Sequence, residues 1–137
     1  VIVADVNTLA YFWINGEFTA DAQRVFELDP EWCAPLLWRS EFRNLLLGYV
    51  RKNIFSIDRA LVAIHHAEKQ MHAREIPVTS RQVMQCAEES SCSGYDCEYV
   101  ALAKALRVKL VTSDKKILKE FPHTAISMKN FINRTLP

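Results

Sequence analysis

The first four residues, Val1-Ile2-Val3-Ala4, are apolar at both alternate positions, and Asp5 ends the run. A half-buried strand alternates apolar with polar residues, so a run with no polar position needs cover on both faces. That is the condition of a central strand in a parallel sheet layered between helices. Segments further along supply the cover. Residues 36–51 carry Trp38, Phe42, Leu45, Leu46 and Tyr49 at helical spacing, and Ser56 is placed to cap a helix through Leu61, Ile64 and Met71 to about residue 74. Helices are also expected over 8–14, 19–28, 81–89, 95–106, 114–120 and 128–134, and further strands over 32–34, 76–78, 108–112 and 124–127. Strands alternating with helices build right-handed crossovers, so the expected fold is α/β, three-layer α/β/α with a central, mostly parallel sheet.

A chain of 137 residues, half of them apolar and 24% charged, makes one domain over 1–137 with a core that needs neither disulfide nor structural metal. The net charge of +1 excludes a global field that would draw the protein onto nucleic acid or an anionic membrane, so any polyanion must be held by a local patch. Cys33, Cys86, Cys92 and Cys97 contain no C-x-x-C pair and read as reduced thiols, which points to the cytoplasm. The longest apolar run, Leu9 to Ile14, is far short of the roughly 18 residues that a membrane span requires.

In such folds the functional crevice lies beyond the carboxyl ends of the strands. Two strands end there in carboxylates, Asp5 and Asp114. Either one alone reads equally as a turn or helix cap. Asp96 follows Ser93 in an S-x-x-D capping pattern, yet it precedes Tyr99, Val100 and Ala103 on an apolar face. Glu41 has Leu37, Leu45 and Gly48 as same-face neighbours and no basic partner, so it either lies at the edge of the apolar stripe or faces a cation. A divalent metal would account for all four acids together. Oxygen ligation without histidine favours Mg²⁺ or Mn²⁺ over zinc, and the chemistry that suits it is phosphodiester hydrolysis.

Four segments carry a family resemblance: V-I-V-A-D-V-N-T-L at the start, L-L-W-R-S-E-F-R-N-L-L from Leu36, S-G-Y-D-C-E-Y-V-A-L-A from Ser93, and L-V-T-S-D from Leu110. Together they resemble the PIN domain ribonucleases, and within them the VapC-type toxins of bacterial toxin–antitoxin pairs. The resemblance implies a sheet of strand order 3-2-1-4-5, with Asp5, Glu41, Asp96 and Asp114 as the acidic quartet that binds the metal and cuts RNA. It also implies Asn7 and Thr112 as polar supports, an RNA substrate, a cognate antitoxin and a homodimer.

Arg39 and Arg43 beside Glu41, and Lys115 and Lys116 after Asp114, are candidates for contacts to RNA phosphates. His65, His66 and His72 lack the i, i+4 spacing of a helical metal pair, and His123 stands alone. Three alternatives compete with the nuclease reading. One is an aspartyl-nucleophile phosphatase suggested by Asp5-Val6-Asn7-Thr8, although Asn7 lacks the acid such an enzyme uses on its leaving group. A receiver-like signalling domain would need paired acids after its first strand. The third is a degenerate PIN scaffold that binds RNA or a protein partner without catalysis.

Overall fold

Four strands form one all-parallel sheet at the centre of the fold: β1 (Ile2–Ala4), β2 (Trp32–Cys33), β3 (Leu110–Val111) and β4 (Ala125–Ile126), in the order β2-β1-β3-β4. A computed structural model describes residues 1–135 of the chain. Among these residues eight helices flank the sheet: α1 (Val6–Trp13), α2 (Thr19–Leu28), α3 (Trp38–Arg51), α4 (Ile57–Gln70), α5 (Ser80–Glu88), α6 (Gly94–Leu106), α7 (Lys115–Glu120) and α8 (Met128–Thr135). All three residues of β1 are buried, as an uninterrupted apolar run under helices on both faces requires. Val3 pairs with Cys33 on one side and with Leu110 on the other, so β1 is central.

The sheet has four strands where five were expected. Residues 76–78 form no strand; the contact there is a single parallel bridge between Ala34 and Glu75, held by Ile76 N–H to Ala34 O at 3.0 Å and Ala34 N–H to Arg74 O at 3.2 Å. A parallel ladder would next use Leu36, but the chain turns there into α3, with the Trp38 N–H bonded to Pro35 O at 3.1 Å. The remaining order keeps β1 between β2 and β3, and so keeps the ends of β1 and β3 adjacent.

Local chemistry sets the helix ends. Ser56 and Ser93 cap α4 and α6 through their side chains, and Thr79 with Gln82 forms a full capping box on α5. The first helix starts two residues earlier than its apolar pattern suggests, because Asp5 caps it. The α4 helix stops at Gln70 rather than near residue 74, and Ala73 beyond it takes a positive φ of 64°. One hydrophobic cluster runs from Ile2 to Phe131, with Trp32, Trp38 and Phe42 its largest fully buried side chains.

Candidate functional site

Each crossover helix runs antiparallel to the strand it follows, so helix N-termini collect at the carboxyl edge of the sheet. Every acid singled out above sits at such an N-terminus. Asp5 is the N-cap of α1 and Asp114 the N-cap of α7, while Glu41 and Asp96 lie in the first turns of α3 and α6. The partial positive charge of a helix N-terminus stabilises a carboxylate there. This helps explain why the fold tolerates so many acids at one edge.

Asp5 is both cap and buried anion, at 6% exposure. Its Oδ1 accepts the Thr8 backbone N–H at 2.9 Å and lies 3.0 Å from the Thr8 hydroxyl, while Oδ2 accepts the Thr112 hydroxyl. Thr112 is fully buried and its Oγ1 also accepts the Asp114 backbone N–H at 3.0 Å, so one hydroxyl ties the ends of β1 and β3 together. Burial holds the Asp5 carboxyl above its ordinary range against the pull of these hydrogen bonds, and the Asp114 charge adds to the rise. Asp114 spends Oδ1 on capping the Ile117 N–H at 3.0 Å.

Glu41 is half-buried, and its Oε1 accepts the Tyr99 hydroxyl at 2.6 Å. Its carboxyl is also raised, chiefly by burial, with the charges of Asp96, Asp5 and Glu98 contributing and the Tyr99 bond opposing. Tyr99 in turn is pushed well above the usual phenol range by burial and by the carboxylate it serves. Asp96 takes its N-cap bond through the backbone, from N–H to Ser93 Oγ at 3.1 Å. The four acids are thus electrostatically linked, Asp114 to Asp5, Asp5 to Glu41 and Glu41 to Asp96.

Among the described residues, no Lys, Arg or His nitrogen lies within 4.0 Å of any of these four carboxylates, although ion pairs occur elsewhere. The donor set is all oxygen, which suits Mg²⁺ or Mn²⁺. An ionised carboxylate offers about four lone-pair positions and Asp5 uses three, so one remains for a ligand. Among the described residues no three acids, histidines or cysteines already stand in a metal-binding arrangement, so a bound ion would have to draw the side chains closer.

The other sequence candidates divide. Asn7 is half-buried in the first turn of α1, and Lys115 and Lys116 are exposed at the start of α7, next to Asp114. Arg39 is withdrawn from the candidate site. Its guanidinium makes a bidentate pair with Glu75 at 2.5 and 2.8 Å and reaches Glu68 at 3.1 Å, which leaves its charge already balanced. Arg43 is exposed along the apolar groove between α3 and α4, with Leu47, Leu61 and Glu68. His66 stacks on Trp13 with ring centroids 5.3 Å apart, and His123 lies at the amino end of the strands, just before β4. The cysteines are buried free thiols; burial and the neighbouring Glu120 carboxylate push Cys92 up to about 11, far from a reactive thiolate.

Sequence reasoning missed Thr8, Tyr99 and Glu98. Thr8 was legible in the D-x-x-T capping pattern. For Tyr99 the signal was a phenol on an inward face, since a buried hydroxyl needs a partner.

No protein-family model and no curated protein matches the sequence. Among solved structures, the chain is similar to PAE2754 from Pyrobaculum aerophilum, with a TM-score of 0.75 and 19% identity over 97% of this chain and 93% of that one. At that identity the similarity speaks for the fold.

Proposed function

We propose that this chain is a Mg²⁺- or Mn²⁺-dependent endoribonuclease of the PIN type, acting in the cytoplasm as the toxin of a toxin–antitoxin pair. The observation that carries the reading is a chain of carboxylate repulsions at one sheet edge, Asp114 with Asp5, Asp5 with Glu41 and Glu41 with Asp96, with no ion pair to any of the four among the described residues. A fold bears that cost where something positive binds. Asp5, Asp96, Asp114 and Glu41 would hold the ion. When bound, it supplies Lewis-acid polarisation of a phosphoryl oxygen and eases the ionisation of water.

The chain's own residues do the rest. Thr112 and Thr8 fix the rotamer of Asp5, and Thr112 sets its spacing from Asp114. Tyr99 holds Glu41 through Oε1, leaving Oε2 to take a proton from an attacking water. The raised affinity of Glu41 for a proton favours that transfer. Lys115 and Lys116 are positioned to contact substrate phosphates without reading bases. A phosphatase that uses Asp5 as nucleophile is disfavoured, because Asn7 stands where such an enzyme needs an acid for its leaving group. A cognate antitoxin and a homodimer belong to the same reading. No helix among the described residues is long and apolar enough to cross a membrane.

The test is cleavage of single-stranded RNA by purified protein with Mg²⁺, Mn²⁺ or EDTA, beside D5N, E41Q, D96N and D114N. Activity should require the ion and fall at least a hundredfold in each variant, on the order of what one lost site group costs. Undiminished cleavage in EDTA would overturn the proposal.

A further inference from the structure

The opposite edge of the sheet carries a second feature that the nuclease reading does not use. A cleft of about 650 Å³ opens at the amino ends of β1, β3 and β4, where Ile2, Lys109 and Thr124 enter the strands. That volume falls within the roughly 300–1,000 Å³ of small-molecule sites. Its floor is apolar, with Ala103 fully buried and Phe131 nearly so. Among the described residues its walls carry Lys104, Arg107, Lys109 and Arg134 against a single acid, Asp29.

The charges there are poorly compensated. Asp29 Oδ1 is occupied by the backbone N–H of Glu31 at 3.0 Å. Lys104 pairs with Glu89 at 3.0 Å, but the Lys109 ammonium donates to a neutral carbonyl, that of His123, at 2.7 Å. Among the described residues neither Arg107 nor Arg134 has a carboxylate within 4.0 Å. Arg107 also ends α6 in the left-handed region, at φ 58° and ψ 44°, where glycine would sit without strain. Two helix C-termini meet there, α6 with Lys104 and Arg107 and α8 with Arg134, so their dipoles favour cations at the cleft, but each carries only about half a charge and the two together do not balance four cations. In a chain of net charge +1, the fold has therefore set acids at one edge of its sheet and bases at the other.

We propose that this amino-end cleft is a binding site for phosphate groups, two or more at a time. Arg107 and Arg134 supply the free guanidinium forks, and Lys109 a point charge. The Phe131 ring is only 7% exposed and the exposed ring of the lining is the His123 imidazole, so recognition rests chiefly on charge rather than on a stacking platform. The phosphates could come from an RNA backbone or from a free polyphosphate, and the two behave differently in solution.

The experiment uses the full chain in EDTA, so that the carboxylate edge repels anions and the nuclease reading can fail without affecting the result. Sodium pyrophosphate and a labelled oligouridylate 12-mer are titrated separately, with amide chemical shifts and fluorescence anisotropy as readouts. Shifts are expected at Arg107, Lys109 and Thr124, and R107A/R134A should weaken binding at least tenfold while K69A, on the remote α4, leaves it unchanged. RNA contacts through three or four phosphates would give a log–log salt slope of about −2 to −3. Binding of the 12-mer that pyrophosphate cannot displace assigns the site to RNA backbone; saturation by pyrophosphate with displacement of the RNA assigns it to free polyphosphate. Either outcome upholds the site. Absence of shifts at these residues with both probes would overturn it, as would equal binding by wild type and R107A/R134A. Should that variant misfold, the wild-type shift map alone decides.

Discussion

Replacing Asp5 with asparagine removes one buried charge at almost constant volume. The fold already favours the neutral form of this carboxyl, since burial outweighs three hydrogen bonds and lifts its pKa. Asparagine resembles that neutral form: its oxygen can keep the Thr8 N–H, and its amide can donate to Thr112 Oγ1, which has a lone pair to spare. The loss is a charge-assisted hydrogen bond from Thr112, about 1.5–3 kcal/mol. The gain is release of a burial penalty of several kcal/mol together with repulsion from Asp114. The net expectation is stabilisation by about 1–2 kcal/mol at pH 7, a rise in Tm of roughly 3–8 °C for a chain of this size. The dependence on pH follows from the direction of the shift. A carboxyl raised in the folded state favours folding fully below its unfolded pKa, and that contribution is lost as pH rises through the folded value. The advantage of D5N should therefore be largest at neutral pH and fade toward pH 3, where wild-type Asp5 is itself protonated. Thermal or urea unfolding of both proteins in EDTA, across that range, measures it. Repeated with Mn²⁺, the same scans should show wild type gaining more stability than the variant, because an ion that binds only the native state adds to its stability. A D5N protein less stable than wild type at pH 7, or a difference independent of pH, would refute the reasoning.

Three further outcomes follow from the same contacts. T112V keeps the shape of a fully buried side chain but strips Asp5 Oδ2 and the Asp114 N–H of a partner, and should cost about 1–3 kcal/mol in urea unfolding. Y99F removes the bond that lowers the Glu41 pKa, so if Glu41 must be ionised to act, the acid limb of the RNA cleavage profile should move to higher pH. R39A breaks the pairs with Glu75 and Glu68 and should cost about 1–2 kcal/mol at pH 7. Arg39 holds Glu75 below the ordinary carboxylate range, so its stabilising contribution is present above the unfolded pKa and is lost as pH falls through the folded one; the R39A penalty should shrink accordingly in acid unfolding scans.

Much of this architecture is written locally. An unbroken apolar run in β1, apolar positions at helical spacing in α3, and Ser56 and Ser93 as caps each depend on residues a few positions apart, so the chain determines them without reference to the rest of the fold. The crossover rule then carries four helix starts, and the acids on them, to one edge of the sheet. The fifth strand failed on a local detail as well, a turn at Pro35 that takes Leu36 out of the ladder. Tertiary structure decided what those acids meet. Thr112 joins Asp5 across 107 positions of sequence, Tyr99 reaches Glu41 across 58, and Glu75 withdraws Arg39 across 36. The basic cleft likewise brings Arg107 and Lys109, in the link between α6 and β3, together with Arg134 of α8. A side-chain hydrogen bond or ion pair has no periodic signature along the chain. Its partner is chosen by which elements the packed core brings together, and that choice exists only once the apolar surface of the whole chain has been buried.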